Sequence, residues 1–366
     1  MFVLSGFIFM SVFEEIGKKF LTPFLFCPPS ELQEWLRAHD QPAFRGNQIW
    51  RWALKPGVIS FDQMSDLPQK LRLELAEHFS LRTVYEKMRQ GDSDSPAEKS
   101  LLELSDGESI ETVLLHNAQG EHTLCVSTQV GCAMGCTFCA TGLDGVVRNL
   151  TSGEILEQFL LASDLLHTRG ERLSHAVIMG MGEPSANLEA LLEALDVVSS
   201  PKGLNIGARK ITISTVGIPT GIRRLADHPK AYHLAVSLHA PNDELRTSLI
   251  PANRRVGIEN ILHAADYYFA QTGRRVTYEY ILLADVNDSP THAQELARLL
   301  KKRNALVNLI PYNPVSDIPF RTPAQQRVMK FATILEKNGV QVVLRHRKGE
   351  KIEAACGQLR RKRRSS

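Results

Sequence analysis

The chain has 366 residues, 43% of them hydrophobic and 23% charged, with a formal net charge of +3, values that exclude disordered, collagen-like and membrane-embedded classes. That length suits one large catalytic domain with a smaller appendage, and so slight a charge excess does not by itself establish a nucleic-acid partner. Six cysteines are too few for a disulfide framework in a chain this size, so their clustering points to metal binding or catalysis.

The opening MFVLSGFIFMSVF is apolar but only 13 residues long, short of the roughly 20 that cross a bilayer. Glu14 and Glu15 follow it where a secretory signal would place small residues. Residues 1–27 are therefore an unassigned extension with Met10 as an alternative start, and the expectation is a cytoplasmic protein with no membrane partner. Residues 28–90 form a helical accessory domain. Ser30 and Gln33 make a capping-box pattern, FRGNQIWRWAL from Phe44 is amphipathic, and Pro68 suits a helix start. Arg45, Trp50, Arg51 and Trp52 offer a basic and aromatic surface, although at helical spacing at least one tryptophan is expected in the core. Residues 91–122 read as a linking β-hairpin, two strands around the turn Asp106-Gly107.

From Thr123 to about residue 347, apolar strand-like runs alternate with helix-length segments at 152–167, 187–199, 219–227, 258–271, 290–303 and 323–337. Six βα units in succession predict an α/β fold with a parallel sheet wrapped by helices, a partial (β/α)6 barrel. Residues 348–366 form a C-terminal segment whose run Arg360, Arg361, Lys362, Arg363 and Arg364 either attracts phosphate or is simply a solvated tail. Loops after the strands carry the chemistry in such folds, and polar or glycine-rich signals fall there repeatedly. GCAMGCTFC follows the first strand, GMGEP the second, Ser214 ends the third, Ser237 to His239 the fourth, and PYNP follows the sixth.

Cys132, Cys136 and Cys139 are spaced so that one loop can bring three thiols to a metal centre while leaving one corner open. A 4Fe-4S cube normally takes four thiolates, so a missing fourth leaves an iron for a small chelating ligand. A zinc site completed by Cys125 or Cys356 is the alternative, but zinc knuckles favour paired CxxC spacings.

CxxxCxxC with Phe138 before the last cysteine resembles the signature of radical-SAM enzymes. TLCVSTQVGCAMGCTFCATG, RNLTSGEI, GMGEP, SLHAPND, PYNP and EAACGQL, in that order from Glu111 to Leu359, resemble the RlmN/Cfr family of RNA adenine methyltransferases. The resemblance implies one 4Fe-4S cluster on Cys132, Cys136 and Cys139, its open iron chelated by S-adenosylmethionine (SAM). It implies SAM contacts from Gly182, Glu183, Ser214, Ser237, Leu238, His239 and Asn313. It further implies that Cys356 becomes S-methylcysteine, that a second SAM is cleaved to a radical that activates this methyl group, and that Cys125 releases the product through a transient disulfide with Cys356. Glu111 becomes the proton acceptor at carbon 2 of the adenine. The implied substrates are 23S rRNA in the peptidyl-transferase centre and the adenosine 3′ of the tRNA anticodon. The accessory domain would dock RNA, a low-potential donor such as flavodoxin would supply electrons, and the protein would be a monomer. Cys27 matches nothing in the pattern and reads as structural. Methylation at carbon 8, a metal-stabilised RNA-binding protein and a radical activase of another protein are the competing readings.

Overall fold

A computed structural model describes residues 21–91, 95–315, 318–345 and 356–359. The apolar opening with Met10, the basic run after Leu359, and Glu353 to Ala355 of the EAACGQL segment lie outside the described residues. The chain divides into two compact units, Met1–Ala53 with Val58–Arg82, and Leu54–Gly57 with Thr83–Ser366.

The first unit contains β1 (Thr22–Pro23), α1 (Pro29–Ala38), α2 (Phe44–Ala53), α3 (Gln69–His78) and β2 (Phe79–Ser80), with β1 and β2 parallel. Leu32, Leu36, Ile49, Ala53, Leu71 and Leu75 recur at helical spacing and are buried. Phe24 sits among Trp50, Phe61 and Phe79, its ring centroid 5.1 Å from that of Trp50, so Trp50 is a core anchor. The capping box expected from Ser30 and Gln33 does not form. Pro28 is the N-cap and Pro29 begins α1, a start whose fixed φ needs no side-chain cap, and Gln33 Nε2 instead donates to the Ala43 carbonyl at 3.0 Å. Arg51 pairs with Asp66 at 2.6 Å, and Trp52 donates its indole N–H to the same carboxylate. Cys27 is buried, and burial, then Glu31, pushes its thiol up to about 11, as for an inert core residue.

The second unit is built on one ten-stranded mixed sheet. Its antiparallel part is β3 (Tyr85–Gln90), β4 (Ala97–Glu103), β5 (Ser109–His116) and β6 (His122–Cys125). The parallel part continues from β6 through β9 (Leu173–Ile178), β10 (Ile211–Thr215), β11 (His233–Ser237), β12 (Val276–Leu282), β13 (Ala305–Pro311) and β14 (Gln341–Leu344). A small ribbon, β7 (Gln129–Gly131) with β8 (Val146–Asn149), brackets the cysteine loop. The sheet ends at β3 on one side and β14 on the other, the open arrangement expected of six βα units. The segment read as a linking hairpin does form one around Asp106-Gly107, and its strands are built into the same sheet.

The helices are α4 (Ser152–Thr168), α5 (Leu188–Ser199), α6 (Pro219–Ala226), a short α7 (Asp243–Leu249), α8 (Ile258–Thr272), α9 (Pro290–Leu300) and α10 (Gln325–Lys337). All but α7 fall where the periodicity placed them, to within three residues at either end. Thr151 starts α4 with a full capping box: its hydroxyl accepts from Glu154 N at 3.1 Å, and the Glu154 carboxylate accepts from Thr151 N at 2.9 Å. Among the described residues no helix is long and apolar enough to cross a membrane.

On β4, Glu98 is 1% exposed and holds Arg169 and His116. Burial pushes its carboxyl up, but the hydrogen bond and charge of Arg169, then His116, outweigh burial and leave it below the ordinary range. Its native pKa is therefore depressed relative to the unfolded chain. The stability it contributes is full above the ordinary carboxylate value and is lost as pH falls through the lower native one. Denaturant midpoints measured against pH should drop below about pH 4.5, and Glu98→Gln should flatten that drop. An unchanged slope in the variant would show that Glu98 carries none of it.

Candidate active site

The cysteine loop leaves β7 at Gly131, whose φ of +79° admits a glycine and whose Cβ would stand 2.0 Å from the Gly145 carbonyl oxygen. Beyond it, Phe138 packs with Leu249, Ile250, Ile281, Leu283 and Tyr312, and Cys136 and Cys139 lie against this apolar cluster. Burial, then Cys139 and Glu183, pushes the Cys132 thiol up to about 11, and burial, then Cys139 and Cys132, pushes Cys136 well above its ordinary value. Among the described residues no three His, Cys, Asp or Glu side chains converge on the position of a single metal ion.

A cavity of about 730 Å³ runs through this unit, and its wall includes Cys125, Cys139, Cys356, Glu279 and Asn313. Cys125 ends β6, in register with Val113 of β5 and Val177 of β9. Its thiol is pushed up by burial and then by Cys356, which lies near it. Cys356 is exposed to the open cavity, while the surrounding protein, then Glu279, raises its thiol as well. Both are free thiols, and no disulfide joins the described cysteines. Residues 356–359 are pinned: Ala140 N donates to Gly357 O at 2.8 Å, Thr141 Oγ1 to Leu359 O at 2.6 Å and Gln358 Nε2 to Pro314 O at 2.9 Å. The Asn313 carboxamide oxygen is buried without a hydrogen-bond partner, an acceptor whose desolvation calls for a donor from a ligand.

The other residues singled out by sequence gather around the strand ends beside the cysteine loop. Gly182 has φ +103°, and a Cβ there would meet Gln129 and Thr128 at 2.7 Å, so the GMGEP turn requires a glycine. Glu183 is 3% exposed, and its carboxylate accepts from Thr215 Oγ1 at 2.6 Å, Val216 N at 2.8 Å and Ser185 N at 3.0 Å. Burial raises its pKa and these bonds oppose it. Three donors occupy most of a carboxylate's four or so acceptor sites and leave room for one more. Ser214 Oγ and Ser237 Oγ stand 3.5 Å apart at the ends of β10 and β11. Leu238 is fully buried and donates its N–H to Glu279 O. His239 adopts φ +60°, and its Nδ1 accepts from Ile281 N at 3.0 Å. Burial, then Arg246, pushes it down to about 3, so it is a neutral imidazole with its proton on Nε2.

Glu111 lies on the same face of β5 as Val113 and Leu115, which line the cavity. It is not itself in that wall. The side chain turns to Lys99 Nζ at 3.1 Å, and both are buried.

Three residues passed over in the sequence organise these loops. Ser127 accepts from Met181 N and donates to Glu111 O at 2.6 Å, while the Gln158 carboxamide takes both its N–H and its carbonyl at 2.9 Å. Arg246, 1% exposed, donates to the carbonyls of Val216, Ser237 and Leu238 and to Asn253 Oδ1. Its signal was available as a charged residue just past SLHAPND, on a helix too short to register as periodic.

A partial parallel barrel, a three-cysteine loop after its first strand and glycine- and hydroxyl-bearing turns on the same rim are the marks of a radical SAM enzyme. Residues 126–300 match the radical SAM superfamily, and residues 25–81 match the ribosomal RNA large subunit methyltransferase N-terminal domain. The chain is 53% identical over 333 residues to a probable dual-specificity RNA methyltransferase RlmN of Rhodopirellula baltica, covering 91% of this chain and 89% of that one. It is 46% identical over 350 residues to the protein of the same description from Symbiobacterium thermophilum, covering 95% and 93%. The crystal structure of a radical SAM methyltransferase from Sphaerobacter thermophilus superposes with a TM-score of 0.89 at 44% identity, covering 93% of this chain and 99% of that one. The chain belongs to the RlmN family of radical SAM methyltransferases.

Proposed function

We propose that this protein methylates carbon 2 of adenosine in 23S rRNA and in tRNA through a methyl group carried on Cys356. The observation that carries this reading is the single cavity bordered by Cys125, Cys139 and Cys356. A radical generator needs only the cysteine loop; a second and third thiol facing the same space suit a carrier and its release.

The donor set fits a 4Fe-4S cluster with SAM. Cys132, Cys136 and Cys139 would hold the cluster, a set of three thiols that leaves one position for a chelating ligand. The vacant acceptors of Glu183 and Asn313 suit the amino group of SAM. When bound, this pair supplies one-electron cleavage of SAM and a primary carbon radical. Ser214, Ser237, Leu238 and His239 would fix the nucleoside's polar edge, and Gly182 lets the backbone approach it. Cys356 would take the first methyl group as a nucleophile. The apolar packing around Phe138 keeps water from the radical. Cys125 would attack the sulfur of Cys356, forming a disulfide as the carbon–sulfur bond breaks and its electron pair leaves with the transferred carbon, which takes up a proton, and Glu111, paired with Lys99 at 3.1 Å, would accept the carbon 2 proton.

The reading extends to cytoplasmic residence, monomeric action and electrons from a flavodoxin-like donor. It is tested by digesting 23S rRNA and tRNA from cells with and without the gene and separating methyladenosines by mass spectrometry. Loss of 2-methyladenosine from both is expected; its persistence in both would refute the assignment, and an 8-methyl product would replace it. Lys99→Met should slow methylation about a hundredfold, at the low end of what general bases contribute, with an RNA–Cys356 adduct accumulating meanwhile, and Lys99→Arg should restore part of the rate. Slowing without that adduct would mean Lys99 serves folding alone.

A further inference from the structure

The cavity that holds Cys125 and Cys356 runs the length of the strands. Cys139 and Asn313 stand at one end, past the C-terminal ends of β6 and β13; Arg209 and Lys210, which precede β10, and His233, which opens β11, stand at the other. At about 3.3 Å per residue, the five steps from Lys210 to Thr215 make this passage roughly 17 Å deep. The first end is roofed by the cysteine loop and by residues 356–359, which are hydrogen-bonded to Ala140, Thr141 and Pro314. Among the described residues, the second end is one route by which a base can reach Cys356.

That second end is basic. A concavity of about 550 Å³ beside it is lined by Arg172, Arg209, Lys210 and Arg274 with no acidic residue, and one of about 990 Å³ adds Arg275, with Glu279 as its acid and with Arg345 toward the other end, past the last residue of β14. Glu279 is buried and accepts from Asn308 Nδ2 at 2.8 Å. Among the described residues none of the five cations that precede β9, β10 and β12 has an ion-pair partner. Arg275 donates to the neutral Gln341 amide, and Arg274 lies 3.4 Å from the His233 ring. Some surface cations elsewhere in this unit do carry carboxylates: Arg224 with Glu189, Lys230 with Asp196, Arg303 with Asp266, Arg321 with Asp285. At the rim the cations instead share one concave mouth, and burial and then Arg274 and Arg275 hold the pKa of His233 there below the ordinary imidazole value.

We propose that this rim binds the phosphodiester backbone of the substrate RNA, so that the target adenine enters the barrel from the N-terminal ends of the strands. The inference rests on the reading above for the identity of the polyanion. RNA suits it better than an acidic protein, because the cations border a concave mouth continuous with the space that must receive the base.

The test uses the cluster-loaded full chain with Arg209→Ala, Lys210→Ala and Arg274→Ala combined, and Lys330→Ala on the exposed face of α10 as control. Kd for a tRNA transcript and a 23S rRNA fragment is measured over a range of salt. The triple variant should bind ten- to a hundredfold more weakly near physiological salt, and its slope of log K against log salt should fall by about 2, near 0.7 per lost phosphate contact. KM for RNA should rise with kcat retained at saturation. Iron content and RNA-independent methylation of Cys356 should match the parent, which separates this effect from misfolding. Affinity and slope within twofold of the parent would overturn the proposal, as would an equal loss in the Lys330 control. Loss of donor-driven SAM cleavage with RNA binding intact would also overturn it and assign the rim to an acidic electron donor. If the parent binds RNA through the rim yet forms no 2-methyladenosine, the reaction is misread and the surface stands; if it forms that product while the triple variant binds normally, the reverse holds.

Discussion

Cys356→Ala should yield no methylated RNA, a loss of at least ~10³-fold of the kind seen when a covalent group is removed, while the cluster still forms and SAM is still cleaved. The separation follows from where the thiols sit. Cys132, Cys136 and Cys139 belong to one loop after β7, whereas Cys356 comes from a distant segment docked on that loop by the hydrogen bonds of Gly357 and Leu359. Removing its sulfur leaves those backbone contacts in place. Cys125→Ala should fail differently. Its partner would still take up a methyl group and join the base, but nothing would cleave the bond, so RNA should remain attached to the protein and migrate with it on a denaturing gel. Full-rate methylation by the Cys356 variant, or turnover without trapped RNA in the Cys125 variant, would remove the carrier mechanism. Cleavage of SAM would be unaffected by that outcome, since it needs neither residue.

Most of the fold was legible because several parallel strands read as largely apolar runs, HAVIMG and HLAVSL among them. The helices between them begin at signals that local chemistry sets, such as Thr151 with Glu154. The short α7 was not legible, since seven residues cannot display a helical period. The Ser30–Gln33 pattern misled because a proline at the first helical position supplanted it. In the candidate site, the residues that sequence singles out lie inside contiguous motifs, and those acting across the sheet are passed over. Cys139 and Glu183 announce themselves in GCTFC and GMGEP. Lys99 does not, because its meaning depends on Glu111 lying diagonally opposite on the next strand, a relation set by register. The basic rim is equally invisible in one dimension: its cations come from the segments before β9, β10 and β12, and only the parallel arrangement gathers them.

The second large effect is expected at Arg246, which does not line the cavity. Its guanidinium ties together the loops after β10 and β11 by donating to Val216 O, Ser237 O and Leu238 O, with Asn253 as a fourth acceptor. All this occurs in a buried site, where a stranded acceptor costs about 1–3 kcal/mol. Arg246→Met removes four donors at once and keeps similar bulk, so unfolding should become easier by on the order of 3–5 kcal/mol. Arg246→Lys should rescue little of this, because one ammonium lacks the planar fork that reaches carbonyls on three sides. Ser237, Leu238 and His239 are held in line by those same bonds, so SAM affinity should fall in the variant at temperatures where it is still folded. Guanidinium denaturation and SAM binding measured on the same preparations test both halves. A variant within about 1 kcal/mol of the parent, or one that is destabilised yet binds SAM normally, would break the link between this buried arginine and the loops it bonds.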